Sequence, residues 1–148
     1  MTDTSSPLRD RVLDRDDDLR DVLQLLLRGA NRRQMWIHFM DERGCLGSPI
    51  IPIDDYPDDP DQLVDIADLG RVSEAHVFMS RADAIREATA NASIVLVWER
   101  VGDATASPAD RHWARSMDAA AEELGIPLRA QFIAHDRGVR QLHLDDYL

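Results

Sequence analysis

Between Ser93 and Ala134 the chain spells a strand, a short loop, a capped helix and a second strand, and no other stretch restricts its fold as much. Ile94-Val95-Leu96-Val97-Trp98 is an unbroken apolar run, which suits a central strand covered on both faces rather than one half-exposed to water. The loop Glu99 to Ala106 leads into Ser107-Pro108-Ala109-Asp110. Ser107 is placed as the helix N-cap, Pro108 falls in the first turn where its missing N–H costs nothing, and Asp110 takes the third position. Trp113, Met117, Ala120, Ala121 and Leu124 then share one helical face, Gly125 ends the helix, and Pro127 to Ala134 returns as a strand.

The remaining elements follow from similar signals. Met1 to about Asp16 reads as a loose acidic arm, with residues 17–148 forming one domain of a size able to bury its own core. Leu19, Val22, Leu23, Leu26 and Leu27 have helical spacing, aspartates favour the helix start, and Gly29 is placed to stop it. Met35 to Met40 is expected as a central strand. Cys45 to Ile53 returns beside it, irregular or at an edge because of Pro49 and Pro52. Asp54 to Asp61 is a surface loop whose aspartates lack the spacing of a calcium-binding EF-hand. His76 to Met79 is expected as a short strand, followed by a helix from Arg81 to about Ala90, capped by Ser80 and Asp83 and burying Ala82, Ile85, Ala88 and Thr89. Asp136-Arg137-Gly138 turns into a last strand over Val139 to Leu142. The order predicts an α/β fold: a mixed central sheet flanked by helices.

Charge and residue usage exclude several chemistries. The 148 residues carry a net charge of -11, which opposes sequence-independent binding to nucleic acid. All 17 basic residues are arginine, so neither a phosphate loop with its lysine nor Schiff-base chemistry is available. A single cysteine, Cys45, no leader-like N-terminus and no membrane-length apolar run fit a cytoplasmic protein without an internal disulfide. The five histidines, His38, His76, His112, His135 and His143, show no common metal-ligand spacing. His38, inside an apolar strand, is expected to satisfy a hydrogen bond in the core. Trp98, Glu99 and Arg100 emerge beside Ser107 and Asp110 at the end of the central strand, a usual place for a ligand site. Ser107 and Asp110 are equally explained as helix caps.

Val97 to Asp103, then Ala106-Ser107-Pro108-Ala109-Asp110, then Leu124-Gly125-Ile126 resemble the JAB/MPN metalloprotease-like family, in particular its RadC-like branch. Phe39 to Gly47 is similar to the first hairpin of that family and Ala84 to Ala92 to its helix before the metal strand; the resemblance spans roughly residues 34 to 143. It implies a cytidine-deaminase-like, three-layer JAB-type architecture. In the family a strand ending in H-x-H and a downstream aspartate bind zinc, a glutamate acts as acid and base, and a serine holds the reacting oxygen. Here the histidine positions hold Trp98 and Arg100, the aspartate is Asp110, the serine is Ser107, and the glutamate position falls near Gln34. Trp98 and Arg100 are not zinc ligands and Gln34 has no carboxylate for proton transfer. The resemblance therefore implies no catalytic residue, no metal and no cofactor: a protein-interaction or regulatory module, with a homodimer as the expectation by analogy with the fold, and without nucleic acid or membrane as partner. Two alternatives stand beside it: a groove that binds an anionic small molecule through Trp98 and Arg100, and a hydrolase with relocated residues. Arg100 is expected to pair with Asp110 in place of the metal charge, with Glu99 as a competing partner.

Overall fold

The computed structural model describes residues 10–27 and 30–147. Its spine is the expected apolar strand, β5 (Ser93–Glu99), third in a five-stranded mixed sheet. Antiparallel to it runs β1 (Gln34–Met40), which pairs in turn with the edge strand β2 (Ile51–Asp54); the register sets Gln34 opposite Glu99 and Met35 opposite Trp98. On its other side β6 (Leu128–His135) runs parallel, followed by antiparallel β7 (Gly138–Leu142) at the far edge.

Alternation along these strands feeds two cores. Met35, Ile37, Phe39, Ile94, Leu96, Trp98 and Ile133 face α2 (Glu74–Ala88) and α3 (Pro108–Leu124), meeting Met79, Trp113 and Met117. Val95, Val97, Phe132 and Ala134 face the other way and pack with Leu19, Val22 and Leu23 of α1 (Asp16–Leu26). A sheet buried on both faces is why β5 can be apolar at every position from Ile94 to Trp98. A short helix, α4 (Leu144–Tyr147), closes the chain by burying Tyr147. Among the described residues no helix is long and apolar enough to cross a membrane.

Helix α3 begins as its sequence requires. Ser107 Oγ accepts from Asp110 N at 3.1 Å while Asp110 Oδ2 accepts from Ser107 N at 2.9 Å, a reciprocal capping box. Gly125 then ends the helix in the left-handed conformation, with φ 69°.

Several expectations need correction. His76 to Met79 is not a strand: α2 starts earlier, with Ser73 Oγ accepting from His76 N at 3.1 Å. Ser80 and Asp83 lie inside the helix, and its buried stripe is Ala75, Met79 and Ala82, an i, i+4, i+7 pattern. Ala88 and Thr89 are exposed. The preceding stretch, with no assignment from sequence, is a hairpin of β3 (Leu63–Ile66) and β4 (Gly70–Ser73) outside the main sheet. Within the supposed loose arm, Leu13 is buried and its N–H donates to Gly44 O at 2.8 Å. Gly29, assigned as the stop of the first helix, lies outside the described residues.

His38 departs furthest from expectation. It is wholly buried, yet neither ring nitrogen finds a hydrogen-bond partner among the described residues. Strand alternation puts it on the α1 side of the sheet, tilted against Trp36, where the surroundings are apolar. Burial without compensation pushes its pKa down to about 4, so the imidazole is neutral at physiological pH.

Candidate functional site: the groove at the end of the central strand

Where β5 ends, alternation sends Trp98 and Arg100 to the α3 side of the sheet and Glu99 to the opposite side. Arg100 turns back over the start of α3. Its Nε and Nη2 donate to Asp110 Oδ2 at 3.0 and 2.9 Å, Nη2 also donates to Thr105 O at 2.7 Å, and Nη1 donates to Asp103 O. The side chains are 16% and 9% exposed, so this ion pair is largely removed from water. One guanidinium thus clamps the capping aspartate and the loop before it. Gly102, at φ 130°, lies so close that an added Cβ would sit 3.3 Å from Arg100 Nη1.

Around this pair lies a cavity of about 450 Å³. Tyr56, Trp98 and Trp113 form its floor, with centroids 5.3–5.6 Å apart. The two indole N–H groups are tied down: Trp98 Nε1 donates to Gln131 Oε1 at 2.9 Å, and Trp113 Nε1 to Pro57 O at 3.0 Å. Burial raises the Tyr56 hydroxyl to about 12, so it stays protonated at neutral pH. On the rim, Arg33 lies 3.6 Å above the Tyr56 ring and donates to Tyr56 O and Pro57 O at 2.7 and 3.1 Å. Val101 is 65% exposed beside it.

Of the sequence-derived site residues, Trp98, Arg100, Ser107 and Asp110 come together here, and the Arg100–Asp110 pair forms. Gln34 and Glu99 do not join them. Glu99 is not a competitor for Arg100: its Oε1 accepts from Gln34 Nε2 at 2.9 Å and Trp36 Nε1 at 2.8 Å, and Oε2 from Asn31 N at 2.7 Å and Arg32 N at 3.3 Å. Strand parity explains both corrections, because residues 34 and 99 face each other on the sheet side away from the groove. Burial raises the Glu99 pKa, but the four donors more than offset it and leave the carboxyl below its usual range.

Replacing Glu99 with glutamine is expected to cost about 2 kcal/mol, since an amide cannot accept from all four donors and brings two N–H groups of its own. Urea unfolding near pH 7 measures this loss. A midpoint equal to that of the unmodified protein would mean that the four contacts contribute nothing net.

The groove does not fit a zinc ion. Asp110 Oδ2 already accepts three N–H donors, and a metal there would have to displace the arginine across from it, with no histidine among the described residues that line the cavity. It also suits a small anion poorly, because every Arg100 nitrogen already donates to protein oxygen. Arg33, Tyr56, Thr105 and Trp113 complete the site and were not singled out from sequence. Arg33 had a usable signal: it shares the parity of Met35, hence of Trp98, once the β1–β5 register is known. In comparisons with known proteins, no family model and no curated protein matches the chain.

Proposed function

We propose that this chain is a non-catalytic relative of the RadC-like JAB/MPN domains, with their three-layer, cytidine-deaminase-like architecture and a metal-free groove in place of the active site, and that it works as a protein-interaction or regulatory module. The observation that carries this reading is the Arg100–Asp110 ion pair, in which a guanidinium stands where the resemblance calls for a metal. A group held by four contacts to its own chain is a structural element rather than a catalyst. Partner binding is then a matter of surface. Both sheet edges are poor templates: β2 carries Pro52, which has no N–H, and β7 is covered by α1 through Gln24 to Val139 N at 3.3 Å and Asp16 to Gln141 at 3.1 Å. The groove face, with exposed Val101 and an aromatic floor, is the surface a protein partner would use, a second copy of this chain included.

A second reading rests on the cavity itself, whose volume of about 450 Å³ lies in the range of small-molecule sites. With the arginine donors engaged, such a ligand would be flat and uncharged rather than anionic.

The test compares the protein with Val101→Glu, an exposed-site variant that leaves the core intact. Partners retained from an extract of the native host, or self-association measured by sedimentation, are expected to fall at least tenfold in the variant. Unchanged retention and association in the variant would remove the groove from the interface. Turnover of peptide or isopeptide substrates with added Zn²⁺, lost on Asp110→Asn, would overturn the non-catalytic reading.

A further inference from the structure

A second constellation lies outside the groove, on the outer side of the loop that forms its wall. Asp59 and Asp61 come from that loop, and His112 from the second turn of α3. One ligating atom from each lies within 4.8 Å of the others. Sequence spacing hid this set, because His112 is 51 residues from Asp61 and pairs with no other histidine.

The chemistry is specific in three respects. First, the set mixes an imidazole with two carboxylates, a nitrogen–oxygen donor set suited to borderline transition metals; calcium and magnesium prefer oxygen alone. Second, its two negative charges balance a divalent ion. Third, the ligands are partly positioned. Ser116, one turn beyond His112 on α3, donates to Asp61 Oδ1 at 3.1 Å, while Asp61 Oδ2 meets His112 Nε2 at 2.7 Å. Asp59 Oδ1 accepts from Asp61 N at 2.9 Å, which leaves its second oxygen available. Ligands bound at about 2.1 Å sit roughly 3–4 Å from one another, so side-chain rotation alone would close the set around an ion.

The geometry points to Asp59, Asp61 and His112 as a site for one divalent transition-metal ion of the zinc, nickel or cobalt class. Its effect would be structural. The ion would staple the Asp59–Asp61 loop to α3, and the same loop supplies Tyr56 to the groove floor and Pro57 O to Trp113, the neighbour of His112. This site is independent of the groove reading, since none of its ligands touches Arg100 or Asp110.

Untagged full-length protein, stripped with chelator, is titrated calorimetrically with ZnCl₂, NiCl₂ and CaCl₂ at pH 7.5. Saturable binding of one Zn²⁺ or Ni²⁺ is expected, with a rise in melting temperature and no comparable response to Ca²⁺. His112→Ala, at a half-buried position, and Asp61→Asn, at an exposed one, are each expected to weaken binding at least tenfold. Circular dichroism of the stripped variants checks that the fold persists. Absence of saturable binding to either transition metal overturns the site, as does binding that survives both substitutions. Binding kept in His112→Ala but lost in Asp110→Asn would place the ion in the groove and contradict both readings at once.

Discussion

Arg100→Ala should be among the most damaging single substitutions outside the two cores, lowering stability by about 3 kcal/mol. For a domain of this size that corresponds to a fall in melting temperature of roughly 10 °C. The reason is the number of groups one side chain serves. Removing it strips two donors from Asp110, whose side chain is 9% exposed in the intact pair, leaving only the Ser107 N–H on its inner oxygen, and leaves the carbonyls of Asp103 and Thr105 without their donor. Arg100→Lys should recover only part of the loss, because an ammonium cannot present two nitrogens to Asp110 while spanning both carbonyls. Thermal unfolding of the two variants measures this; a lysine variant as stable as the parent would mean that charge alone matters and that the fork geometry is incidental.

His38 should make the fold acid-sensitive from about pH 6.5 downward, so that the loss begins before ordinary carboxylates titrate. Its pKa is about 4 in the folded chain against an ordinary 6.5, so the unfolded state binds more protons between those values. The stability present above pH 6.5 is therefore lost progressively as pH falls toward 4, by about 3 kcal/mol in all. His38→Leu removes the titrating group from apolar surroundings and leaves no polar atom unsatisfied. The variant is expected to be at least as stable at pH 7 and to lose most of the slope between pH 6.5 and 5. Denaturant unfolding across that interval decides it, and parallel pH profiles for the two proteins would assign the acid limb to other groups. His135, also displaced downward by burial and by Arg100 and Arg140, adds a slope of the same sign that this variant keeps.

The legible part of the chain was the part governed by local chemistry. The run from Ile94 to Trp98, the Ser107–Asp110 cap and Gly125 each fix their own backbone, and the unit they define sits at the centre of the sheet. The Arg100–Asp110 pair was legible as well, since both residues flank one loop. What sequence left out depends on register and on distant partners. Gln34 and Glu99 looked like groove residues until pairing showed them back to back with it. Arg33, Tyr56 and Trp113 meet only because a loop folds across the start of α3. His76 to Met79 misled because a four-residue apolar run has no period of its own, and Ser73, the true cap, precedes a glutamate at its first helical position rather than its third. His38 misled in the other direction: that buried polar groups find partners is a strong tendency, and here it fails.

Whether the groove is centred on a committed ion pair is tested most directly by a double-mutant cycle on Arg100 and Asp110. Arg100→Ala, Asp110→Ala and the double variant are unfolded in urea beside the parent protein. A pair that holds the loop and the helix start together should give a coupling of about 1.5–3 kcal/mol, the double variant being little worse than the more damaging single one. Losses that add to within about 0.5 kcal/mol would mean that the two side chains act independently, and that Arg100 has not taken over the centre of the groove.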